Sequence, residues 1–389
     1  MERKQVYILV NNATSEALGK ENVLQEDLQN VVELGDEIQN VGAMDKYVKA
    51  LVNHIGRVIF VDRAYRGGAP SVLMDGWEFG SILEKITCDL PTATENESWE
   101  LVDGASYDPN IFYQPKVSAK FFNKRVTFEI PLSFTEKQVK ESFSNEAQLN
   151  AFVSMLYNSV DKSLTVKIDS LIMRTINNMI GETVYDEFSG GTYTGSSGVR
   201  AVNLLYLYNQ LHAGATISTF AQALQTPDFI RFAIYTIGLY SDRMTKISTL
   251  FNVGGKDRFT TTDLQHMVLL SDFEKSARVY LYDANGQFKD DNLQLPTKVE
   301  TVPYWQGSGQ TYSLSDVSKI NVVTSGNHSI ELDGIIGVIF DRDALGVCCV
   351  DRRTTTAYNA KAEFYTNFAK YDAGYYNDLN ENFVVFYAK

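Results

Sequence analysis

A chain of 389 residues that is 44% hydrophobic can bury a substantial core and has the length of two or three compact domains. Its 35 Lys and Arg against 48 Asp and Glu give a net charge of −13 with no basic block, which excludes the phosphate-neutralising surface of a nucleic-acid binder. The apolar run of the opening "MERKQVYILVNN" covers only Val6 to Val10, and no stretch of about 18 apolar residues occurs, so neither a signal peptide nor a membrane span is expected and the product is predicted to be soluble and cytosolic.

Residues 1 to about 50 are polar and rich in Asn, Gln and Glu, with one amphipathic helix marked by Leu24, Leu28, Val31, Val32 and Ile38, the pattern of an arm more than of a domain. "HIGRVIFVDRAY" (His54 to Tyr65) is predicted as a β-strand, broken by Gly67, Gly68 and Pro70. From Trp77 to Phe128 two extended flanks, "WEFGSILEKITCDL" and "YQPKVSAKFFNKRVTFEI", enclose the acidic, turn-rich "PTATENESWELVDGASYDPN". So little apolar surface cannot fold alone, and the segment is predicted to be a long two-stranded excursion that needs something to lie on. A short helical lead-in follows at Thr135 to Phe143.

Ser144 to Gly181 then runs 38 residues and meets neither proline nor glycine until its last residue. With adjacent pairs merged, Leu149, Phe152, Val153, Leu156, Val160, Leu164, Ile168, Leu171, Ile172, Ile176 and Met179 recur three or four apart, one continuous apolar stripe, while Asn158, Asp161, Lys162, Lys167, Asp169, Arg174 and Asn178 occupy the other face. Ser144 or Asn145 is the expected N-cap and Gly181 the left-handed C-cap. At 1.5 Å per residue such a rod is roughly 50 Å long and would cross an ordinary domain, where the mean helix has about 11 or 12 residues.

A Gly/Ser-rich connector, "FSGGTYTGSSGV", leads into a region of mixed pattern, with helices at "TISTFAQAL" and "PDFIRFAIYTIGLYSDRMTKISTLF" and strands at "QHMVLLS", "VETVPYW" and "GIIGVIFDRDALGV". Phe364 to Tyr387 carries nine Phe or Tyr in 24 residues in a roughly alternating, strand-like register. No internal repeat is visible.

Catalytic and metal motifs are missing. The connector glycines Gly190, Gly191, Gly195 and Gly198 are not followed by Gly-Lys-Ser/Thr, so a flexible linker is expected, not a phosphate cradle. His54, His212, His266 and His328 lie at least 50 residues apart and belong to no metal-ligand pattern, which points to structural histidines. No Gly-x-Ser-x-Gly elbow occurs, and "DANGQFKDDN" (Asp283 to Asn292) departs from an EF-hand loop in spacing and in lacking its Glu. Acidic pairs such as Glu95 and Glu97 are unremarkable in an acidic chain. Cys88, Cys348 and Cys349 cannot make a disulfide framework and are expected as buried thiols. No enzyme, cofactor or metal is predicted.

The order of these parts resembles the major capsid proteins of tailed bacteriophages, an α+β architecture called the Johnson or Hong Kong phage fold. The residues that carry the resemblance are "WEFGSILEKI" leading into the excursion, "KRVTFEIPLSFTEKQVKESF" returning from it, the long helix at Asn145 to Ile180, and the closing segment "DGIIGVIFDRDALGVCCVDRRTTTAYNAKAEFYTNFAKYDAGYYNDLNENFVVFYA". The likeness is nearest to short-tailed phages of the phi-twenty-nine type, without their C-terminal immunoglobulin-like domain. It implies an N-terminal arm at 1–52, a peripheral-domain (P-domain) strand at 53–66, an E-loop at 67–128 and the P-domain with its spine helix at 129–190. It further implies an axial A-domain at 191–345, return strands of the P-domain at 346–380 and a C-terminal A-domain strand at 381–389.

The function implied is a structural shell protein of the virion, assembled in the host cytoplasm through hexamers and pentamers into an icosahedral capsid that encloses double-stranded DNA without sequence-specific binding. A scaffolding protein and a portal are implied partners, and no membrane. The spine would pack under the P-domain sheet, and Trp77, Phe79, Trp99, Phe112, Tyr113 and Phe121 of the excursion would contact a neighbouring subunit. An inner wall of negative charge would leave packed DNA mobile. Some relatives cross-link subunits through a lysine and an asparagine, but no such pair is assigned here. The competing readings are an encapsulin-like compartment, another virion part such as a decoration or connector protein and, from a different class, an intracellular enzyme with an inserted long helix.

Overall fold

The computed structural model describes residues 3–19, 24, 30–40, 42–61, 69–74, 83–88, 91, 93, 95, 102–105, 110–144, 146–190, 192–214, 216–282, 298–306 and 317–389. In chain order these form α1 (Arg3–Leu18), α2 (Val31–Asn40), α3 (Met44–Val61), β1 (Leu83–Cys88), β2 (Val117–Phe122), β3 (Arg125–Thr135), α4 (Glu136–Ser142) and α5 (Glu146–Phe188). There follow β4 (Ala201–Asn203), α6 (Leu204–Leu211), α7 (Phe220–Leu224), α8 (Pro227–Met244), β5 (Gln265–Leu270), α9 (Ser271–Tyr282) and β6 (Lys298–Val302). The chain closes with β7 (Ile320–Val323), β8 (Ser329–Leu332), β9 (Ile335–Asp341), β10 (Leu345–Asn359), β11 (Phe364–Asn377) and β12 (Phe383–Tyr387). Two compact units result, one of Met1–Gly80, Lys124–Arg174 and Val347–Tyr375, the other of Ser81–Asn123, Thr175–Gly346 and Tyr376–Lys389.

In the first unit, β3 pairs antiparallel with β11 and β10 adds at the far side of β11. Period-2 alternation places Ile130 and Phe134 of β3 beside Ala369 and Tyr365 of β11 on the buried face, and sends Glu129 and Lys370 outward as an ion pair of 3.2 Å. Against the buried face packs the stripe of α5, with Leu149, Phe152, Val153, Leu156, Val160 and Leu164 in one cluster with the sheet residues and the Phe152 ring edge-on to Phe134 at 5.6 Å. The lead-in helix α4 is fixed by a capping box, in which the Thr135 hydroxyl accepts from the Gln138 amide and the Gln138 side chain accepts from the Thr135 amide.

The amino-terminal residues are not a polar arm. Val6, Leu9, Val10, Ala13 and Ala17 of α1 are buried in that same cluster with Tyr47, Val48 and Leu51 of α3, a helical spacing diluted in the sequence by the polar residues between them. The strand expected over 54–65 is α-helical as far as Val61, and 62–65 lie outside the described residues. Met44, Tyr47, Val48, Leu51, Ile55 and Val58 keep a spacing of three and four, and the packing of α3 on α1 outweighs the modest β preference of Val and Ile.

In the second unit a five-stranded sheet has the order β4-β12-β9-β5-β6, parallel at β12/β4 and β5/β6 and antiparallel at β12/β9 and β5/β9. β5, β9 and β12 are buried along their whole length, which accounts for continuous runs such as "GIIGVIF" in place of alternation. Phe229, Ile230, Ala233, Ile237 and Met244 of α8 are buried with them, and the fully buried Trp305 donates its indole N–H to the Ile335 carbonyl at 3.1 Å. Thr260, Gln265, Asp341 and Asn382 form a buried polar knot at the end of β9, in which Thr260 donates to Asp341 at 2.6 Å and Asn382 donates to Thr260 at 3.1 Å. Burial raises the Asp341 carboxyl above the ordinary range, against the lowering effect of the hydrogen bonds it accepts from Thr260 and the Asp343 amide.

α5 does not stop at Gly181 but runs to Phe188, and the left-handed residues at its end are Ser189 and Gly190. Gly181 is a packing glycine, since a Cβ there would lie 2.5 Å from Cγ2 of Val322 on β7. Gly181→Leu is therefore expected to lower stability by about 1–3 kcal/mol through overpacking, read as a lower urea midpoint at unchanged slope.

Candidate assembly surface

β1 and β2 pair antiparallel over their full lengths, from Leu83 opposite Phe122 to Cys88 opposite Val117. Alternation divides this ribbon into two faces. One carries Leu83, Lys85, Thr87, Ser118, Lys120 and Phe122 and is partly covered; the other carries Glu84, Ile86, Cys88, Val117, Ala119 and Phe121 and is open to solvent throughout. The usual arrangement is inverted, because the two lysines lie on the covered face while Ile86, Val117 and Phe121 point into water, Phe121 with 63% of its surface exposed.

The acidic turn between β11 and β12 explains the lysines. Asp378 and Glu381 keep only 1% and 7% of their surface. Lys85 Nζ lies 3.0 Å from Asp378 and 2.8 Å from Glu381, Lys120 Nζ lies 2.9 Å from Asp378, and Arg258 Nε lies 3.3 Å from Glu381. Lys85 and Lys120 are directly opposed across the ribbon, a repulsive placement that the Asp378 carboxylate neutralises by accepting from both. Burial pushes the Asp378 carboxyl up, but the Lys120 and Lys85 ammoniums outweigh it and hold the group below the ordinary carboxylate range. Burial likewise opposes the charge of Lys85, yet Glu381 and Asp378 raise its pKa overall. The ring of Phe122 also lies 5.0 Å from that of Tyr376.

Of the residues expected at an interface, Phe112 and Tyr113 are the most exposed large apolar side chains described, at 84% and 82%, and Phe121 lies on the outward face of the ribbon. Trp77, Phe79 and Trp99 lie outside the described residues. Ile86 and Val117, which complete the outward apolar face, were legible only once the register was known, since nothing in "LEKITC" says which of its alternating sets points to water. Cys88 departs from expectation: it is exposed on that face, whereas Cys348 is buried. The histidines are built into the fold, His54 with Glu16 at 3.1 Å and His212, His266 and His328 stacked on Tyr208, Phe340 and Tyr185. The connector after α5 is tied rather than loose, for Arg200 joins Glu187 at 2.7 Å and Asp186 at 2.8 Å and the Val199 amide donates to Glu187. The stretch 283–292 lies outside the described residues. Among the described residues no cluster of His, Cys, Asp and Glu could hold a metal ion, and no helix is long and apolar enough to cross a membrane.

The chain matches the family model described as "Phi29-like phage major capsid protein" over residues 10–387. It is similar in structure to a chain of the capsid of Staphylococcus phage Andhra, with TM-score 0.53, 11% identity and coverage of 85% of this chain and 86% of that one. Two further similarities are to a chain from the structure of head fiber and inner core protein gp22 of native bacteriophage P68, with TM-score 0.46, 12% identity and coverage of 85% and 86%, and to one from the capsid of cyanophage P-SCSP1u, with TM-score 0.44, 10% identity and coverage of 82% and 86%. No curated protein matches the chain. A long helix under a three-stranded sheet and a second unit with a mixed sheet make up the fold shared with the Andhra capsid chain, and the family match makes it that of a phage shell subunit, the Johnson fold. The chain belongs to the Phi29-like phage major capsid protein family. It is a structural protein of the virion capsid, not an enzyme.

The lysine–carboxylate cluster gives a signed pH dependence. A carboxyl held below its unfolded value contributes stability above pH 3.8 that is lost as pH falls through the folded value, and a lysine held above 10.5 contributes stability below that value that is lost at higher pH. Asp378→Asn is expected to lower stability at pH 7 by about 1–3 kcal/mol through loss of charge-assisted hydrogen bonds, since Lys85 keeps Glu381 and Lys120 reaches solvent. Denaturant unfolding taken down to about pH 2.5 should show wild type and variant converging below pH 3.8.

Proposed function

We propose that many copies of this chain form hexamers and pentamers that close into an icosahedral shell around packaged double-stranded DNA, with the outward face of the β1–β2 ribbon and the exposed Phe112 and Tyr113 seated on a neighbouring copy. The observation that carries this reading is the inverted ribbon: a face of Ile86, Val117, Ala119 and Phe121 left in water is costly for a solitary molecule and useful for one that ends among copies of itself.

On this reading the excursion within 67–128 is the E-loop, 129–190 carries the P-domain with α5 as its spine, and 191–345 is the A-domain. The segment 346–380 supplies return strands and 381–389 the closing strand of the A-domain sheet. Assembly takes place in the host cytoplasm on a scaffolding protein and around a portal, and the net charge of −13 favours an inner wall that does not grip the genome.

Replacing Ile86, Val117 and Phe121 together by Thr keeps the β preference of the ribbon and removes its apolar face. Sedimentation velocity and negative-stain imaging are expected to show megadalton particles for the wild-type chain with its scaffold, and a folded, soluble subunit without particles for the triple variant. Normal shells from that variant would overturn the placement of this face at a subunit contact.

A further inference from the structure

We infer that Asp378 and Glu381 form an ionic latch that holds the β1–β2 ribbon together and selects which of its faces points outward. A two-stranded ribbon is marginal alone in water, and this one begins with a handicap, because Lys85 and Lys120 stand directly opposite each other. Its pairing therefore depends on a countercharge from outside the ribbon. The turn that supplies it is set independently of the ribbon: the Gly254 amide donates to the Leu379 carbonyl at 2.8 Å, the Phe383 amide to Phe251 at 2.9 Å, and the Asn380 amide to the Asp378 carboxylate at 3.1 Å. The two carboxylates are thus presented as a fixed, buried receptor.

Among the described residues, the charged groups around that receptor are Lys85 and Lys120 of the ribbon, Arg258, and the Asp341 carboxyl within electrostatic reach of Lys85, while the Asp343 carbonyl accepts from Lys85 at 3.3 Å. With the ribbon turned over, Ile86, Ala119 and Phe121 would meet carboxylates that had lost their lysines, leaving Asp378 desolvated without a countercharge and Glu381 with Arg258 alone. The latch thereby excludes the inverted seating and fixes the apolar face outward. Residues more than 250 positions apart in the chain, with separations of 258 for Lys120–Asp378 and 296 for Lys85–Glu381, act as one positioning device.

The test is hydrogen exchange on the full chain, kept unassembled, comparing wild type with Asp378→Asn/Glu381→Gln. Amides of 83–88 and 117–122 are expected to exchange about tenfold faster or more in the variant, while those of β5, β9 and β12 keep their protection. Adding Lys85→Met/Lys120→Met to the variant removes the opposed charges and is expected to restore much of the ribbon's protection. Unchanged exchange in the ribbon would overturn the latch, and so would an equal loss in β9 and β12 or a failure of the methionines to restore pairing. Particle formation by the wild-type chain is scored separately, so a failed latch and a failed shell reading give different results.

Discussion

A helix of 43 residues is the constraint around which this subunit is built, because every turn of it must find apolar cover or lose its reason to stay folded. The cover comes from different elements along its course. Leu149, Val153, Leu156 and Val160 lie on one side and belong to a cluster with β3, β11 and the amino-terminal helices. Ile172, Ile176, Met179 and Ile180, also buried, fall on nearly the opposite side of the same helix at about 100° per residue. α5 is amphipathic locally and not globally. The glycine at 181 follows from the same demand, since close cover by β7 leaves no room for a side chain.

Where the core elements satisfy themselves inwardly, the ribbon does the reverse. β5, β9 and β12 hide every residue, whereas β1 and β2 turn their lysines to the partly covered face and leave Ile86, Val117 and Phe121 in water. The carboxylates of Asp378 and Glu381 are the buried partners, and they are tolerable there because Lys85, Lys120 and the turn's own Asn380 amide compensate them. A fully buried sheet and a solvent-exposed apolar face are thus separated into different elements of one chain.

Much of this was legible in the sequence where the signal is local. The unbroken spacing of α5, the Thr135 and Gln138 cap of α4, Pro227 at the start of α8 and the apolar runs of β5 and β9 each state their structure within a few residues. The failures are where tertiary context overrode local preference. α1 looked too polar and the end of α3 too rich in Val and Ile, yet each makes helix because the other is there to pack on. The ribbon was legible as two strands but not in its facing, for that depends on Asp378 and Glu381, whose partners lie hundreds of positions earlier. An acidic turn placed immediately before a fully apolar strand is the one sequence hint that a buried countercharge was needed.

The same separation along the chain bears on the order in which a ribosome delivers the parts. β12 sits inside the five-stranded sheet, and the acidic turn directly before it is made long after the ribbon it secures. A nascent chain that has not reached residue 378 therefore carries Lys85 and Lys120 without the Asp378 countercharge. The facing of the ribbon is thus fixed only once residues 378–382 are in place, so the order of events in folding runs against the order of the chain.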